Sequence, residues 1–332
     1  VPKRALAEAG IHLMCCGSRY PKNDTALIME KVTLDLGAYV RHAKEELGYE
    51  NVVLLGWSGG GSLSLFYQAE AEDPTITNTP AGDPVDLTAA DLVPADAVMF
   101  IAAHASRALT LTEWMDASVR DEINPEDRDP ELDIYNPNNP NHPPFNSKFL
   151  LRYRNEQIVR NRKITTWVKE VLAELKRRDD GEVERGFVVH RTMADPRWID
   201  PAVDPNERKP NWCYLGNPRT VNNGPAGLAR FCTLRSWLSQ WSYDESRVDG
   251  IISAQRVSVP FLTLENGADD ACPASHARMI FDAAASANKE MEVIKGAGHY
   301  YKGQPEKMNK AVSLITNWLE RQGLVDTIVS RH

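Results

Sequence analysis

The stretch Asn51-Val-Val-Leu-Leu-Gly-Trp-Ser-Gly-Gly-Gly61 constrains this chain more than any other. Val52 to Leu55 form a short apolar run of the kind that becomes a buried parallel strand. Gly56-Trp57-Ser58-Gly59-Gly60 follows, and Ser62 to Ala71 then reads as a helix. A strand that passes into a helix through Gly-x-Ser-x-Gly must turn sharply, with Ser58 at the turn and its hydroxyl pushed out of the backbone. Gly56 and Gly60 are expected to be glycine because side chains there would strike neighbouring backbone. The five-residue pattern alone is common. The strand before it and the helix after it distinguish it from an ordinary glycine turn.

A serine hydroxyl is a poor nucleophile without a base and a third group to orient that base. Val259-Pro-Phe-Leu-Thr-Leu-Glu265 reads as another buried strand. It runs into Asn266-Gly-Ala-Asp-Asp-Ala-Cys-Pro273, which places Asp269 and Asp270 just past the strand end. Met291 to Lys295 is a short strand leading to Gly296-Ala-Gly-His299-Tyr-Tyr301. A histidine among small residues after a strand is free to swing towards a neighbouring strand end. The other histidines lack this setting. His42 and His276 fall on polar helical stretches and are expected to be solvated. His142 lies in a Pro/Asn loop, and His332 is the terminus. His104 follows the strand Asp96–Ala103 and is a pocket candidate at the same edge as Ser58.

On Gly56-Trp-Ser-Gly-Gly60, Ala268-Asp-Asp-Ala-Cys-Pro273 and Gly296-Ala-Gly-His299, the sequence resembles the α/β-hydrolase family over nearly its whole length, a long middle insertion apart. The resemblance implies an α/β fold, a mostly parallel sheet flanked by helices. It implies Ser58 as nucleophile, His299 as general base and acid, and Asp269 as orienting carboxylate through the family's Asp-x-x-x-Pro pattern with Pro273. Asp270 stays open as the alternative acid. The Gly59 backbone N–H is implied as an oxyanion donor. No metal or organic cofactor is required. The expected substrate is a carboxylic ester or lactone of moderate size and apolar character, because the middle insertion is large and carries several tryptophans. Carbon–carbon bond hydrolysis, amide hydrolysis and acyl transfer use the same triad, and a non-catalytic ligand-binding homologue is the rival from another class. Family members have two or three strands and a second oxyanion donor before this point. An upstream segment before Val1 is therefore expected, which leaves a signal peptide open.

The chain has 332 residues, 42% hydrophobic and 25% charged, as in an ordinary soluble globular protein. A net charge of −8 gives no support to a nucleic-acid partner. No apolar run has the length of a membrane span. Five cysteines, an odd number, suggest no disulfide framework, and a reducing cytoplasm is the simplest fit. A homo-oligomer is left open.

Residues 1–105 and 249–332 read as the hydrolase core and 106–248 as a large, mainly helical cap. Pro2 to Gly10 reads as a helix end with a glycine stop, and Ile11 to Cys16 as a buried strand carrying Cys15 and Cys16. Asp24 to Leu47 reads as a helix, and Asp73 to Pro94 as a surface connection. Within the cap, Asn124 to Asn146 is an irregular loop anchored by Leu132, Ile134, Tyr135 and Phe145. Phe149 to Arg178 is one long helix or two. Gly227 to Trp241 is a helix with Phe231, Leu234, Leu238 and Trp241 on one face. Glu306 to Arg321 forms the last helix. Trp57, Trp114, Trp237, Trp241 and Tyr300 join His104 as candidates for the pocket wall, against the alternative of plain packing.

Overall fold

A computed structural model describes residues 3–22 and 24–325. Pro2, read as part of the first helix, and His332 lie outside the described residues. The strands are β1 (Val53–Ser58), β2 (Ala97–Ala103), β3 (Gly186–Val188), β4 (Phe231–Thr233), β5 (Phe261–Asn266) and β6 (Lys289–Ile294). The helices are α1 (Lys3–Glu8), α2 (Met29–Arg41), α3 (Gly60–Glu72), α4 (Arg107–Trp114), α5 (Ser147–Arg178), α6 (Pro218–Asn222), α7 (Leu234–Ser236), α8 (Gly250–Ala254), α9 (Ala274–Ala283) and α10 (Pro305–Arg321).

Four strands make one parallel sheet in the order β1-β2-β5-β6. Every residue of β2 and β5 is buried, as expected for strands covered on both faces. The strand period of two sorts the side chains. Val98 and Phe100 join Leu54, Leu65, Phe261 and Ile280 on the face covered by α2, α3, α8 and α9. Ala97, Met99 and Ile101 join Leu262, Leu264, Ile315 and Trp318 on the other face, covered by α1 and α10. Burial of each such large side chain contributes about 1.5–3 kcal/mol. All four strands are parallel, so their C-terminal ends emerge at one edge of the sheet.

The middle block leaves and rejoins this core at one place. Ser106 and Asp249 form an isolated bridge, and the Gly250 N–H donates to Ala105 O at 2.8 Å. Its longest element, α5, is one continuous helix. Asn146 caps its start by accepting from the Phe149 N–H at 2.9 Å, and Asp179 ends it in the left-handed region at φ 48°. Leu111, Ile164, Val168, Leu234, Trp237 and Trp241 form a separate apolar core there. In the irregular loop before α5, Leu132 and Ile134 are buried against Phe149 and Tyr153. No helix among the described residues is long and apolar enough to cross a membrane.

Five sequence expectations need correction. Ile11 to Cys16 is not a buried strand: Leu13 and Met14 are 38% and 39% exposed, and Cys15 and Cys16 are exposed. β1 is the sheet edge, so among the described residues no strand pairs beyond it and the apolar run lacks a partner. Gly227 to Trp241 is not helical throughout. Phe231-Cys-Thr233, a β-prone triplet, pairs with Gly186–Val188, and helix begins only at Leu234. Phe231 is exposed. The helix expected over Asp24–Leu47 starts only at Met29, after a separate turn at Asp24–Ala26, and continues from α2 into a wider helical turn at His42–Glu46. His276 is not solvated; it is fully buried on α9. Gly60 does not sit in a crowded place: a Cβ there would meet nothing within 4 Å. The crowded neighbour is Gly61, whose Cβ would lie 2.4 Å from Ala103 Cβ and 2.7 Å from a Phe100 ring carbon.

Candidate active site

Ser58 ends β1 and adopts φ 56°, in the left-handed region that a β-carbon disfavours. The β1–β2 register slips between Trp57 and Ser58, which turns the serine out of the ladder. α3 begins two residues later and packs against β1 so tightly that a Cβ on Gly56 would lie 2.6 Å from Gly60 O. Gly59 is the N-cap of α3, so its N–H has no acceptor within the helix.

The loops after β5 and β6 bring two further groups to Ser58. His299 Nε2 lies 3.1 Å from Ser58 Oγ, and His299 Nδ1 lies 3.0 Å from Asp269 Oδ2. Asp269 and His299 are almost completely buried. The second carboxylate oxygen, Asp269 Oδ1, accepts from the N–H groups of Ala271 (2.8 Å) and Cys272 (2.7 Å). Asn266 fastens the two loops together. Its Nδ2 donates to Gly298 O at 3.1 Å, and its Oδ1 accepts from Tyr301 Oη at 2.6 Å. Asp270 instead offers its backbone carbonyl to the Tyr214 N–H at 2.9 Å. Burial and the Asp269 charge raise the pKa of its carboxyl. Of the two candidate acids, the one hydrogen-bonded to His299 is Asp269.

The imidazole is bracketed by aromatic rings. Trp57 stacks on His299 with centroids 4.7 Å apart and planes 23° from parallel, while Tyr300 meets it edge-on at 4.7 Å. Cys272 Sγ donates to Ala102 O at 3.1 Å, and burial, then the Asp269 charge, push its thiol well above the ordinary range. Asp269, Cys272 and His299 present ligand atoms within 4.8 Å of one another. Carboxylate and imidazole are already engaged with each other and the thiol is held protonated, so the donor set suits proton transfer better than a metal ion.

His104 stands beside the serine, its N–H donating to Ser58 O at 3.2 Å. The ring is buried, Nδ1 has no partner, and Trp114 meets it edge-on at 5.8 Å. Burial, followed by His276 and His299, holds its pKa well below 6.5, so it is neutral. The remaining tryptophan candidates are packed. Trp114, Trp237 and Trp241 are all buried, and the Trp237 indole N–H donates to Thr165 Oγ1 at 2.9 Å inside the middle block.

Two features escaped the sequence reading. One is a buried polar chain behind His104: His276 Nε2 lies 3.1 Å from Glu113 Oε2, Glu113 pairs with Arg197, and Arg197 with Asp195. Burial opposes the Glu113 charge, but Arg197 and His276 hold its pKa well below 4.5. The other is Arg107, whose guanidinium lies against Gly59. Its only sequence signal was a charge opening the helix after a strand end. A separate polar cleft of about 370 Å³, with Arg128, Asp133, Tyr135, Arg191 and Arg219 in its wall, shares no residue with the triad.

No family model and no curated protein matches the chain. Solved structures resemble it at low identity. A monoacylglycerol lipase from Paleococcus ferrophilus is 16% identical with a TM-score of 0.43, over 96% of this chain and 86% of that one. VinJ is 15% identical with a TM-score of 0.42, over 98% and 85%. At this distance the chemistry has to be read from the site itself. The parallel sheet, the left-handed serine between strand and helix, and the strand-end order serine, aspartate, histidine give this chain an α/β-hydrolase fold.

Proposed function

We propose that this protein is a serine hydrolase that cleaves a carboxylic ester or lactone through an acyl-enzyme on Ser58. The observation that carries the reading is the unbroken relay from Ser58 Oγ to His299 Nε2 (3.1 Å) and from His299 Nδ1 to Asp269 Oδ2 (3.0 Å). Ser58 Oγ attacks the carbonyl carbon while His299 Nε2 takes its proton. Asp269 fixes the Nδ1–H tautomer and offsets the imidazolium charge. Stacked Trp57 adds a cation–π contribution of about 0.5–2 kcal/mol to that cation. The oxyanion accepts from the Gly59 N–H at the positive end of α3. His299 then protonates the leaving alcohol, and water repeats the sequence to release the acid.

The middle block, residues 106–248, acts in this reading as a cap, supported by its contacts with the acid loop. The Asn206 side chain donates to Asp269 O at 3.1 Å and the Glu207 N–H to Gly267 O at 2.8 Å. All five cysteines are free, which suits a reducing compartment such as the cytoplasm. The test is covalent labelling by a fluorophosphonate probe, with an ester and lactone panel run in parallel. Labelling at Ser58, lost in Ser58→Ala, supports an enzyme; a folded protein that fails to label is not a serine hydrolase.

A further inference from the structure

Arg107 opens α4 immediately beyond the end of β2, and its guanidinium is held from one side only. Nη1 donates to Gln240 Oε1 at 2.7 Å. Gln240 is itself fixed, its Nε2 donating to Asp24 O, Leu27 O and Ser236 Oγ. The Trp241 ring lies 5.8 Å from Arg107 Cζ. The opposite edge is unused. Nε is buried without an acceptor, and no carboxylate among the described residues forms an ion pair with Arg107. Asp24 acts on it only through space, while burial lowers its pKa.

That unused edge lies towards Gly59, the residue after Ser58. A Cβ on Gly59 would meet Nη2 at 3.4 Å, Nε at 3.5 Å and Cζ at 3.7 Å. The guanidinium thus lies at ordinary contact distance from the side-chain position of the residue after Ser58. The Nε–Nη2 edge is the fork that grips a carboxylate in two parallel hydrogen bonds. Arg107 is only partly buried as a residue, but its Nε is shut off from solvent without an acceptor, and an arriving anion would offset the cost of that unmet donor. The net charge of the chain is −8, so this positive field is local to Arg107. Structural bracing of Gln240 needs Nη1 alone and leaves the other edge unexplained.

We propose that Arg107 is the specificity residue of the Ser58 site, and that the substrate is an ester or lactone carrying a second, free carboxylate whose oxygens accept from Nε and Nη2. This rests on Ser58 being the nucleophile. The side-chain contacts that would otherwise neutralise the fork are absent among the described residues, and Gly59 supplies the room beside it.

The experiment compares mono(4-nitrophenyl) glutarate with its neutral carboxamide analogue on the full chain. The wild type is expected to favour the acid in kcat/KM. Arg107→Met should lower the acid-to-neutral ratio by about 10- to 100-fold, the range for hydrogen bonds to a charged group. Arg107→Lys, which keeps the charge and loses the fork, should fall between them. Glutarate should also slow fluorophosphonate labelling of Ser58 in the wild type and not in Arg107→Met. Equal or better turnover of the neutral analogue by the wild type overturns the proposal, as does an equal loss for both substrates in the variant. Calorimetry of glutarate binding to Ser58→Ala separates the two readings. Arg107-dependent binding there upholds the anion site even if Ser58 proves unreactive, and no binding refutes it even if esters are cleaved.

Discussion

Replacing Gly56 by alanine should damage both stability and chemistry, and replacing Gly60 by alanine should damage neither, although both are glycines of one motif. The Gly56 Cβ would lie 2.6 Å from Gly60 O, 2.7 Å from Gly61 Cα and 2.9 Å from Ser64 Oγ. Carbon contacts are comfortable only from about 3.5 Å, so α3 must move away from β1 by roughly 1 Å. Two of the three atoms are backbone, and no rotamer change can relieve them. Overpacking of this kind costs about 1–3 kcal/mol. Ser58 sits between the separating elements, and a displacement of about 1 Å costs on the order of 100-fold in rate. Gly60 has open space and a helical backbone, so its alanine variant should gain about 0.4–1 kcal/mol from a stiffer unfolded chain. Urea unfolding reports the first quantity and the rate of fluorophosphonate labelling the second. If Gly56→Ala labels at the wild-type rate with unchanged stability, or if both variants are equally impaired, the elbow is not held by the contact described here.

Further outcomes follow from the same geometry. Asp269→Asn should reduce kcat by about 10⁴-fold by stabilising the wrong imidazole tautomer, while Asp270→Asn should cost less than about 10-fold; steady-state kinetics showing equal losses would refute the assignment. Trp57→Leu removes the ring stacked on His299, and kcat should fall about 2- to 30-fold with little change in KM. Asp116 is buried beside Arg191 at 2.6 Å; burial opposes its charge, yet Arg191 and Ser118 hold its pKa below 3.8. A depressed folded-state pKa contributes stability that is present above the unfolded value and lost as pH falls through the folded one. Melting temperature should therefore drop on acidification below about pH 4, and that particular slope should be missing in Asp116→Asn.

How much of this was legible in the sequence follows from how local each determinant is. The strand–elbow–helix unit is encoded within about twenty consecutive residues, by an apolar run, glycines and a helical period, so its position could be read directly. The loops that carry Asp269 and His299 were legible for the same reason: each follows a recognisable strand by a few residues and contains glycine. What local pattern could not give was the choice between neighbours. Asp269 and Asp270 have the same sequence setting, and only the direction of the carboxylate towards His299 tells them apart. Gly60 and Gly61 are equally glycine, and only the approach of Ala103 and Phe100 from another strand shows which position lacks room. The polar residues of the middle block were the least legible. His276 looked solvated because its helix is polar in sequence, yet Glu113, 163 residues away, gives it a buried partner. Arg107 shows the same limit in sharper form. No local pattern singled it out, and only Gln240, 133 residues distant, holds it so that its free edge meets Gly59. On the proposed reading, specificity is therefore written in long-range pairs, whereas the strand–elbow–helix unit is written in a run of adjacent residues. That difference is why a sequence can announce a hydrolase-like elbow while leaving the anion site beside it silent.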